Sequence, residues 1–245
     1  MSETSVRLGL ETPVWLDINN GMNRTGIEPG EEALKLFRML CDLPGIIPAG
    51  LHVYDGHIHE KDHDARHRIC NAAYSKIELF ISRIEKFTES PVKVVAGGSP
   101  TFPVHARRIN VETSPGTTLL WDQGYASAYA DMNFINAAVL FTRIVSKPSE
   151  NSICFDLGTK AVASEMPQPR VKFTDLEDYR IIGHNEEHMV VETNEAKKLK
   201  IGDHFYAIPW HICPTVDRYD SVYVSKDGRV VDQWNVEARK RRITI

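Results

Sequence analysis

Polar segments suited to chemistry follow three short apolar runs in the first half of the sequence. After the first run, at 14–18, Arg24 stands between two glycines, where its guanidinium suits an anion or a ring heteroatom. A solvated arginine in a surface loop is an equally good interpretation. After the second run, at 49–54, Tyr54 and His57 lie nearest the end of the predicted strand, which makes them candidates for a site at that edge.

Histidines are concentrated just beyond that second run. Four of the ten histidines fall within residues 52–63, a density that is compatible with a metal cluster. A polar loop that leads into a helix explains His59 and His63 better, with Asp62 or Asp64 as the helix cap. The sequence therefore favours Tyr54 and His57 over the later histidines.

A glycine-rich loop follows the third apolar run, at 92–96. Paired glycines after a strand let backbone amides approach an oxyanion, and nearby hydroxyls add further donors. A Gly-Lys-Ser/Thr triplet is absent, so this is not a Walker-type nucleotide loop. The segment predicts either a phosphate site or a simple turn. Its candidate residues are Gly97, Gly98, Ser99 and Thr101.

A histidine and a cysteine lie two positions apart in the second half. On a strand, His211 and Cys213 would point to the same side and offer one nitrogen and one thiolate to a zinc-type ion. A buried cysteine beside a satisfied histidine is the commoner reason for such a pair. The upstream segment 186–188, Glu-Glu-His, offers further donors. Two protein ligands would leave positions open for water or substrate, as in a catalytic site.

The elements that must position these residues change in character along the chain. Amphipathic stretches at 29–43 and 64–87 predict helices between apolar strands, the pattern of parallel βα units. Beyond Met132 the sequence turns to short β-prone runs separated by turn residues, as in an antiparallel sheet. The predicted fold is α/β followed by β, with domains at 1–130 and 131–245. The predicted strands are 14–18, 49–54, 92–96, 117–121, 137–145, 152–156, 188–192, 204–208 and 221–224.

Composition excludes several classes of protein. The chain has 245 residues, with 29 Lys and Arg against 33 Asp and Glu. Because basic residues are not in excess, the composition does not predict a nucleic-acid partner. Four cysteines in a chain of this length do not make a disulfide framework, and they predict reduced thiols in the cytoplasm. No apolar run approaches the roughly 20 residues of a membrane span, and the first residues lack the layout of a signal peptide.

Six segments, taken together and in this order, resemble one family. It is the D-threonine aldolase and D-serine dehydratase group of pyridoxal-phosphate enzymes, which have the alanine-racemase-like, fold-type III architecture. Each segment is weakly specific alone, but the shared order is strongly specific, and the match runs from about Pro13 to about Arg239. The segments are VWLDINNGMNRTGI at 14–27, GLHVYDGH at 50–57, AGGSPT at 96–101, DLGTK at 156–160, EEH at 186–188 and HICPTV at 211–216.

The resemblance implies a fold and a set of site residues. The fold would be a (β/α)8 barrel that carries the cofactor, here only about its last four βα units, followed by an antiparallel β domain with a metal site. The cofactors would be pyridoxal 5'-phosphate and a divalent metal, zinc or manganese, and a cysteine at position 213 favours zinc. By this resemblance, Arg24 would lie by the cofactor ring and Tyr54 would face the cofactor or the substrate. The cofactor phosphate would be bound by Gly97, Gly98, Ser99 and Thr101, and the metal by His211 and Cys213. Tyr54, His211 and Cys213 would take part in catalysis.

The resemblance also implies a reaction on a small D-amino acid. The lead hypothesis is a lyase of D-3-hydroxy amino acids that cleaves D-threonine to glycine and an aldehyde. The alternatives are D-serine dehydratase, which gives pyruvate and ammonia, or a non-catalytic fragment that binds metal or cofactor.

One departure from the family bears on activity. The family's cofactor lysine belongs to an Arg-Pro-His-x-Lys-Thr-His-Lys motif at the end of the first barrel strand, and this sequence has no match to it. The strand at 14–18 corresponds to about the fifth of eight, so the chain is expected to lack the first half of the barrel. A truncated record of a longer enzyme and a fragment that pairs with a separate first half both fit, and a homodimer is a further possibility.

Overall fold

The computed structural model describes residues 1–240, and it divides the chain into two compact units, Met1–Gly116 and Thr117–Ile245. The sequence placed the domain boundary later, after residue 130. Residues that follow Gly116 pack with the second unit, since the Gly124 amide donates to the carbonyl of Trp210 at 3.0 Å. The predicted second domain ends at 245, so its last five residues lie outside the described part of the chain.

The first unit is a parallel sheet with helices between its strands. Its four strands are hydrogen-bonded in chain order, β1-β2-β3-β4, and every neighbouring pair is parallel. This confirms the parallel βα prediction for the first half. The elements are α1 (Ser2–Leu8), β1 (Thr12–Asp17), α2 (Glu31–Asp42), β2 (Ile46–Val53), α3 (His63–Ile84), β3 (Val94–Ala96), α4 (Phe102–His105) and β4 (Val111–Thr113).

Apolar side chains from one face of this sheet pack against α2 and α3. On β1 and β2 these are alternate residues, such as Leu16 and Leu51, because side chains of a strand alternate between its two faces. The helix α3 begins where predicted, and the Asp62 side chain caps it by accepting from the Ala65 amide at 2.8 Å. The helices are therefore held to the sheet by one continuous core. That core includes Leu16, Ile18, Leu51, Val53, Val94, Ala96, Phe37, Tyr74, Ile77 and Phe80.

The predicted strand at 117–121 is wrong. The fourth parallel strand is β4, and residues Thr117–Leu119 instead form one turn of 3-10 helix. The carbonyl of Thr117 accepts from the amides of Leu120 and Trp121, so the backbone groups that a strand would need are used within the turn.

The second unit is an antiparallel sheet, as predicted, with a separate hairpin. Among residues 117–240, the main sheet has six strands in the order β7-β10-β5-β6-β9-β8, and β11 and β12 form a separate two-stranded sheet. Its core is rich in Ile, Val and Phe. The elements are α5 (Gln123–Ala128), β5 (Leu140–Ser149), β6 (Ser152–Phe155), β7 (Val171–Phe173), β8 (Arg180–His184), β9 (Met189–Glu192), β10 (His204–Pro209), α6 (Cys213–Val216), β11 (Ser221–Lys226) and β12 (Arg229–Asn235).

Three strands of this unit were not predicted: β7, β8 and β12. The first is only three residues long, and β12 is exposed along its whole length, so neither carries a clear alternation of apolar and polar residues. Within residues 1–240, every helix is too short or too polar to span a lipid bilayer.

Candidate active site

The carboxyl ends of β1, β2 and β3 meet at one edge of the parallel sheet, because neighbouring parallel strands run in the same direction. The structure brings several of the predicted residues together there. The guanidinium carbon of Arg24 lies 4.5 Å from the centre of the Tyr54 ring, a cation–π contact. The same ring packs on the backbone of Gly98, where an added Cβ would lie 3.2 Å from it. Arg24, Tyr54 and the glycine-rich loop therefore form one cluster.

A buried carboxylate that the sequence analysis missed organises this edge. One oxygen of Asp55, Oδ1, accepts from the Gly98 amide at 3.0 Å and from the Thr101 hydroxyl at 2.6 Å. The other oxygen, Oδ2, lies 2.8 Å from Nε2 of His105 on α4. Asp55 is 1% exposed. A carboxylate directly after a strand is common, so the sequence carried no signal for this role.

Asp55 changes the interpretation of the glycine-rich loop. The Gly98 amide and the Thr101 hydroxyl both donate to it, and the Gly97 amide donates to the carbonyl of Val53 at 3.1 Å. These donors, predicted to bind phosphate, are used within the protein in this structure. Their role in binding a phosphate therefore stays a prediction.

Electrostatics keep Asp55 ionised. Burial acts to raise its pKa, but hydrogen bonds from His105, Thr101 and the Gly98 amide outweigh burial, and the pKa is lowered from its ordinary value. The Asp55 carboxylate is therefore charged in the folded protein.

The buried thiol of Cys70 lies beside this carboxylate. Its sulfur lies 3.3 Å from His105 Nε2, and Asp55, Cys70 and His105 each offer a possible metal ligand within 4.8 Å of one another. Burial, reinforced by the Asp55 charge, raises the pKa of Cys70 to about 12. A metal ligand must be a thiolate, and both Asp55 oxygens are already bonded, so we interpret the cluster as the support of the loop.

Buried polar atoms without a partner lie next to the cation–π pair in sequence and at the same strand ends. Three of these atoms are Nδ2 and Oδ1 of Asn20 and Nδ1 of His57. All three are buried, and none has a hydrogen-bond partner within residues 1–240. The His57 ring lies against Gly21, where an added Cβ would come within 2.8 Å of Nε2. Buried polar atoms are nearly always satisfied, so a polar ligand at this edge would complete them.

In the second unit, His211 and Cys213 meet, but not on a strand as predicted. The strand β10 ends at Pro209, and Cys213 is the first residue of α6. The chain turns here because the Asp122 carboxylate accepts from the Ile212 amide at 3.0 Å. The two side chains are nevertheless close enough for each to shift the pKa of the other, which a turn allows as well as a strand.

A carboxylate orients the histidine of this pair. Glu165 Oε1 lies 2.5 Å from Nδ1 of His211. The hydrogen bond with Cys213 raises the pKa of His211 to about 9, against the effect of burial and with further help from Glu165. The same bond lowers the pKa of the Cys213 thiol, and the Thr117 hydroxyl at 3.5 Å also favours the thiolate. Glu165 stands far from the pair in sequence, so no local motif could have identified it.

The donors proposed upstream are engaged elsewhere. Lys160 Nζ lies 2.8 Å from a Glu186 carboxylate oxygen and 2.5 Å from one of Glu187. These ion pairs are exposed, as is His188. The segment 186–188 is therefore explained as a surface ion-pair cluster.

Comparisons with known proteins match two successive parts of the chain to two different families. The family model described as "Alanine racemase, N-terminal domain" matches residues 1–122, and "Putative serine dehydratase domain" matches residues 137–225. A solved structure of D-threonine aldolase from Filomicrobium marinum superposes with a TM-score of 0.88 at 24% identity, covering 97% of this chain and 66% of that one. The fold is thus that of the alanine-racemase-like, fold-type III pyridoxal-phosphate enzymes.

Two curated relatives match almost the whole chain. D-threonine aldolase of an Arthrobacter species is 26% identical over 98% of this chain and 64% of its own length. 3-Hydroxy-D-aspartate aldolase of Paracoccus denitrificans is 24% identical over 98% of this chain and 63% of its own length. The chain is thus a homologue of these two enzymes with an alanine racemase N-terminal domain and a serine dehydratase-like domain, and it spans less than two thirds of the length of these relatives.

Replacing Asp55 tests its organising role. Asp55→Asn is expected to lower the free energy of unfolding at pH 7 by about 3 kcal/mol, because it breaks a buried charged hydrogen-bond network. The folded pKa of Asp55 lies below its ordinary value of 3.8, so its charge stabilises the fold above that pH and the stabilisation is lost as the pH falls through the folded value. The variant should therefore lose less stability below pH 4 than the original chain, as measured by urea unfolding.

Asp64→Asn is the matched control. The Asp64 carboxylate also pairs with a histidine, His63, but it is exposed to solvent, so the change should leave the free energy of unfolding almost unchanged. Equal effects of the two substitutions would contradict the role of Asp55.

Proposed function

We propose that this chain is part of a pyridoxal-phosphate and divalent-metal-dependent lyase of D-3-hydroxy amino acids. The reaction would be that of a D-threonine aldolase, retro-aldol cleavage to glycine and an aldehyde. The observation that carries the proposal is the His211–Cys213 pair with Glu165 behind it, in a unit that matches the serine dehydratase family model. The four free cysteines support a reducing, cytoplasmic setting.

The donor set of the second unit fits a zinc-type ion. Zinc prefers imidazole nitrogen and thiolate, and the lowered thiol pKa of Cys213 favours the form that binds metal. Glu165 fixes the orientation of the His211 ring, which is the usual arrangement around a ligating histidine. A bound divalent ion, zinc or manganese, would act as a Lewis acid on the hydroxyl and carboxylate of the substrate.

The edge of the parallel sheet fits the ring of the cofactor. Arg24 would hold the cofactor ring, Tyr54 would offer its aromatic face, and the buried unpartnered atoms of Asn20 and His57 would hydrogen-bond to polar groups of the ligand. When bound, pyridoxal phosphate supplies an electron sink for bond breaking at the substrate's α-carbon. In this proposal Tyr54 faces cofactor or substrate. The phosphate is assigned to Gly97, Gly98, Ser99 and Thr101, as the resemblance implies.

In this proposal, the lysine that binds the cofactor is none of the five lysines near the candidate sites. Lys93 precedes β3, at the opposite end of the strand from the candidate site, and Lys160 is paired with two glutamates. Lys61, Lys76 and Lys86 are exposed. We therefore propose that activity requires the part of the barrel that the relatives have and this chain does not cover.

The sheet itself supports a larger barrel. Within the described chain, the helices that join its strands pack on one face, and no strand pairs with the outer edges of β1 and β4. Asp17, His52, Val95 and Glu112 are neighbours across the four strands on the other face, where Asp17 Oδ1 and His52 Nδ1 lie 2.7 Å apart. Parallel sheets are normally covered on both faces. A complementary half-barrel would cover this row and pair both edges.

Two observations favour the dehydratase alternative. The second unit matches a family model described as a serine dehydratase domain, and its metal pair has a cysteine at position 213. Elimination of hydroxide would then replace carbon–carbon cleavage, giving pyruvate and ammonia from D-serine. A non-catalytic fragment that binds metal or cofactor would share the sites but turn over neither substrate.

The metal assignment is tested on the chain by itself. The purified chain, incubated with zinc and dialysed, should retain about one zinc through His211 and Cys213, and Cys213→Ala should lose it. Glu165→Gln should weaken zinc binding by about 10–100-fold, because the histidine loses its orienting partner. Cys41→Ala is the control, since Cys41 is an exposed cysteine of the first unit. Unchanged zinc content in Cys213→Ala, measured by elemental analysis, would refute the assignment.

The reaction is tested by supplying the missing part. The chain is co-expressed with the segment of the Arthrobacter D-threonine aldolase that the match leaves uncovered, and it is assayed with pyridoxal phosphate and zinc or manganese. We expect glycine and acetaldehyde from D-threonine for the pair and no turnover for the chain alone. Ammonia from D-serine without glycine from D-threonine would favour the dehydratase, and full turnover by the chain alone would contradict the proposal.

A further inference from the structure

A short segment at the start of the second unit contacts the turn that carries the two proposed metal ligands. The Thr117 hydroxyl lies 3.5 Å from the Cys213 sulfur, and Thr117 is 7% exposed. The Gly124 amide donates to the carbonyl of Trp210, the residue before His211, at 3.0 Å. A side chain at position 124 would prevent this approach, because an added Cβ would lie 2.5 Å from that carbonyl oxygen. The segment therefore packs directly on the turn.

Asp122 holds the turn through its carboxylate. Its Oδ1 accepts from the Tyr125 amide at 2.9 Å and caps the helix α5, while its Oδ2 accepts from the Ile212 amide at 3.0 Å. Ile212 stands between His211 and Cys213, so this bond fixes the backbone that carries both. Aspartates are mostly exposed, whereas Asp122 is 2% exposed and bonds to a residue 90 positions away. Capping of α5 alone does not explain that second contact.

The residue before Asp122 has an unusual backbone conformation. Trp121 has a φ of 48°, in the left-handed region, although it is a large residue and fully buried. Such a conformation persists only where the surrounding contacts enforce it, and it often marks a functional site. The Trp121 amide donates to the Thr117 carbonyl at 2.7 Å, which closes the chain between Thr117 and Asp122. The strained residue therefore lies between the two side chains that reach the turn.

A buried hydroxyl holds the other side of the turn. Thr215 is 1% exposed, and its Oγ1 donates to the His211 carbonyl at 2.7 Å and accepts from the Ala163 amide at 3.2 Å. The backbone of the turn is thus fixed from two sides. Thr215 belongs to the same short motif as the proposed ligands, whereas Thr117 and Asp122 come from a distant part of the sequence.

We propose that Thr117 and Asp122 are positioning residues of the metal site. The inference rests on the proposed function, in which His211 and Cys213 bind the ion. The Thr117 hydroxyl donates to the Cys213 thiolate and orients its sulfur, since a thiolate can only accept. Asp122 sets the spacing of the two ligands through the Ile212 amide. Residues that orient a ligand in this way typically change metal affinity 10–100-fold when they are removed.

Cobalt(II) is the probe that tests the role of Thr117. Zinc has a filled d shell and gives no signal, whereas a cobalt–thiolate bond gives a charge-transfer band in the near ultraviolet. The purified chain should bind about one cobalt ion with this band. Thr117→Val removes the hydroxyl at nearly constant shape, and we expect a shifted band and about 10-fold weaker binding. Thr117→Ser keeps the hydroxyl and should restore both.

A second variant tests Asp122. An asparagine keeps one accepting oxygen, so Asp122→Asn should retain one of the two amide contacts and weaken cobalt binding by about 10-fold or more. Thr142→Val is the matched control. Thr142 is also a buried threonine of the second unit, 2% exposed, and its hydroxyl donates to Asp156 at 2.8 Å. This control should leave the cobalt band and the affinity unchanged, and the melting temperature of each variant shows whether it is folded.

The possible outcomes separate this inference from the proposed function. A cobalt band and affinity that are the same in Thr117→Val and Asp122→Asn as in the original chain would overturn the positioning roles alone. An equally large change in Thr142→Val would assign the effect to a general loss of packing and would also overturn them. An original chain that binds no cobalt, or binds it without the thiolate band, would refute the metal assignment of the proposed function, and the inference would fall with it.

Discussion

A parallel sheet is normally covered on both faces by other parts of the protein. In the described part of the first unit, helices cover one face, and the outer edges of β1 and β4 pair with no further strand. Its four strands bring their carboxyl ends to one edge, and this places Arg24 over Tyr54 and sets the glycine-rich loop beside them. The helices bury one face. The other face carries Asp17 and His52, whose side chains lie 2.7 Å apart, and in the proposed function a complementary half-barrel covers it. The candidate site thus lies at the carboxyl edge of a four-stranded parallel sheet.

Buried carboxylates hold backbone amides in both units. Asp55 is fully bonded, to the Gly98 amide, to Thr101 and to His105, so its role is to hold the loop. Asp122 has a comparable place in the second unit, where its two oxygens accept from the amides of Tyr125 and Ile212.

The sequence predicted the broad architecture well, because the positions of helices and strands depend on local patterns of apolar residues. Apolar alternation and helix periodicity located β1, β2, α2 and α3. The strand expected at 117–121 was wrong because local β propensity was overridden by a turn that Thr117 closes.

The site was harder to predict because its organising contacts are distant in sequence. Glu165 and Asp55 act on groups about fifty residues away, His211 and His105. His211 and Cys213 lie in a turn after Pro209 and at the start of α6, so the strand on which the sequence placed them was wrong, and their role as metal ligands stays a prediction. The order of six short motifs carried the family resemblance that spacing alone could not. Thr117 and Asp122 belong to none of those motifs, so only their contacts in the fold reveal them.

The central claim is that this chain works as one part of a larger barrel. Native and denaturing mass spectrometry of the protein isolated from its own cells tests it most directly. The account predicts either a polypeptide heavier than 27.7 kDa or a complex of the 27.7 kDa chain with a second, different chain that carries the cofactor lysine. Finding only copies of the 27.7 kDa chain, in a preparation that binds the cofactor covalently and cleaves D-threonine, would contradict it.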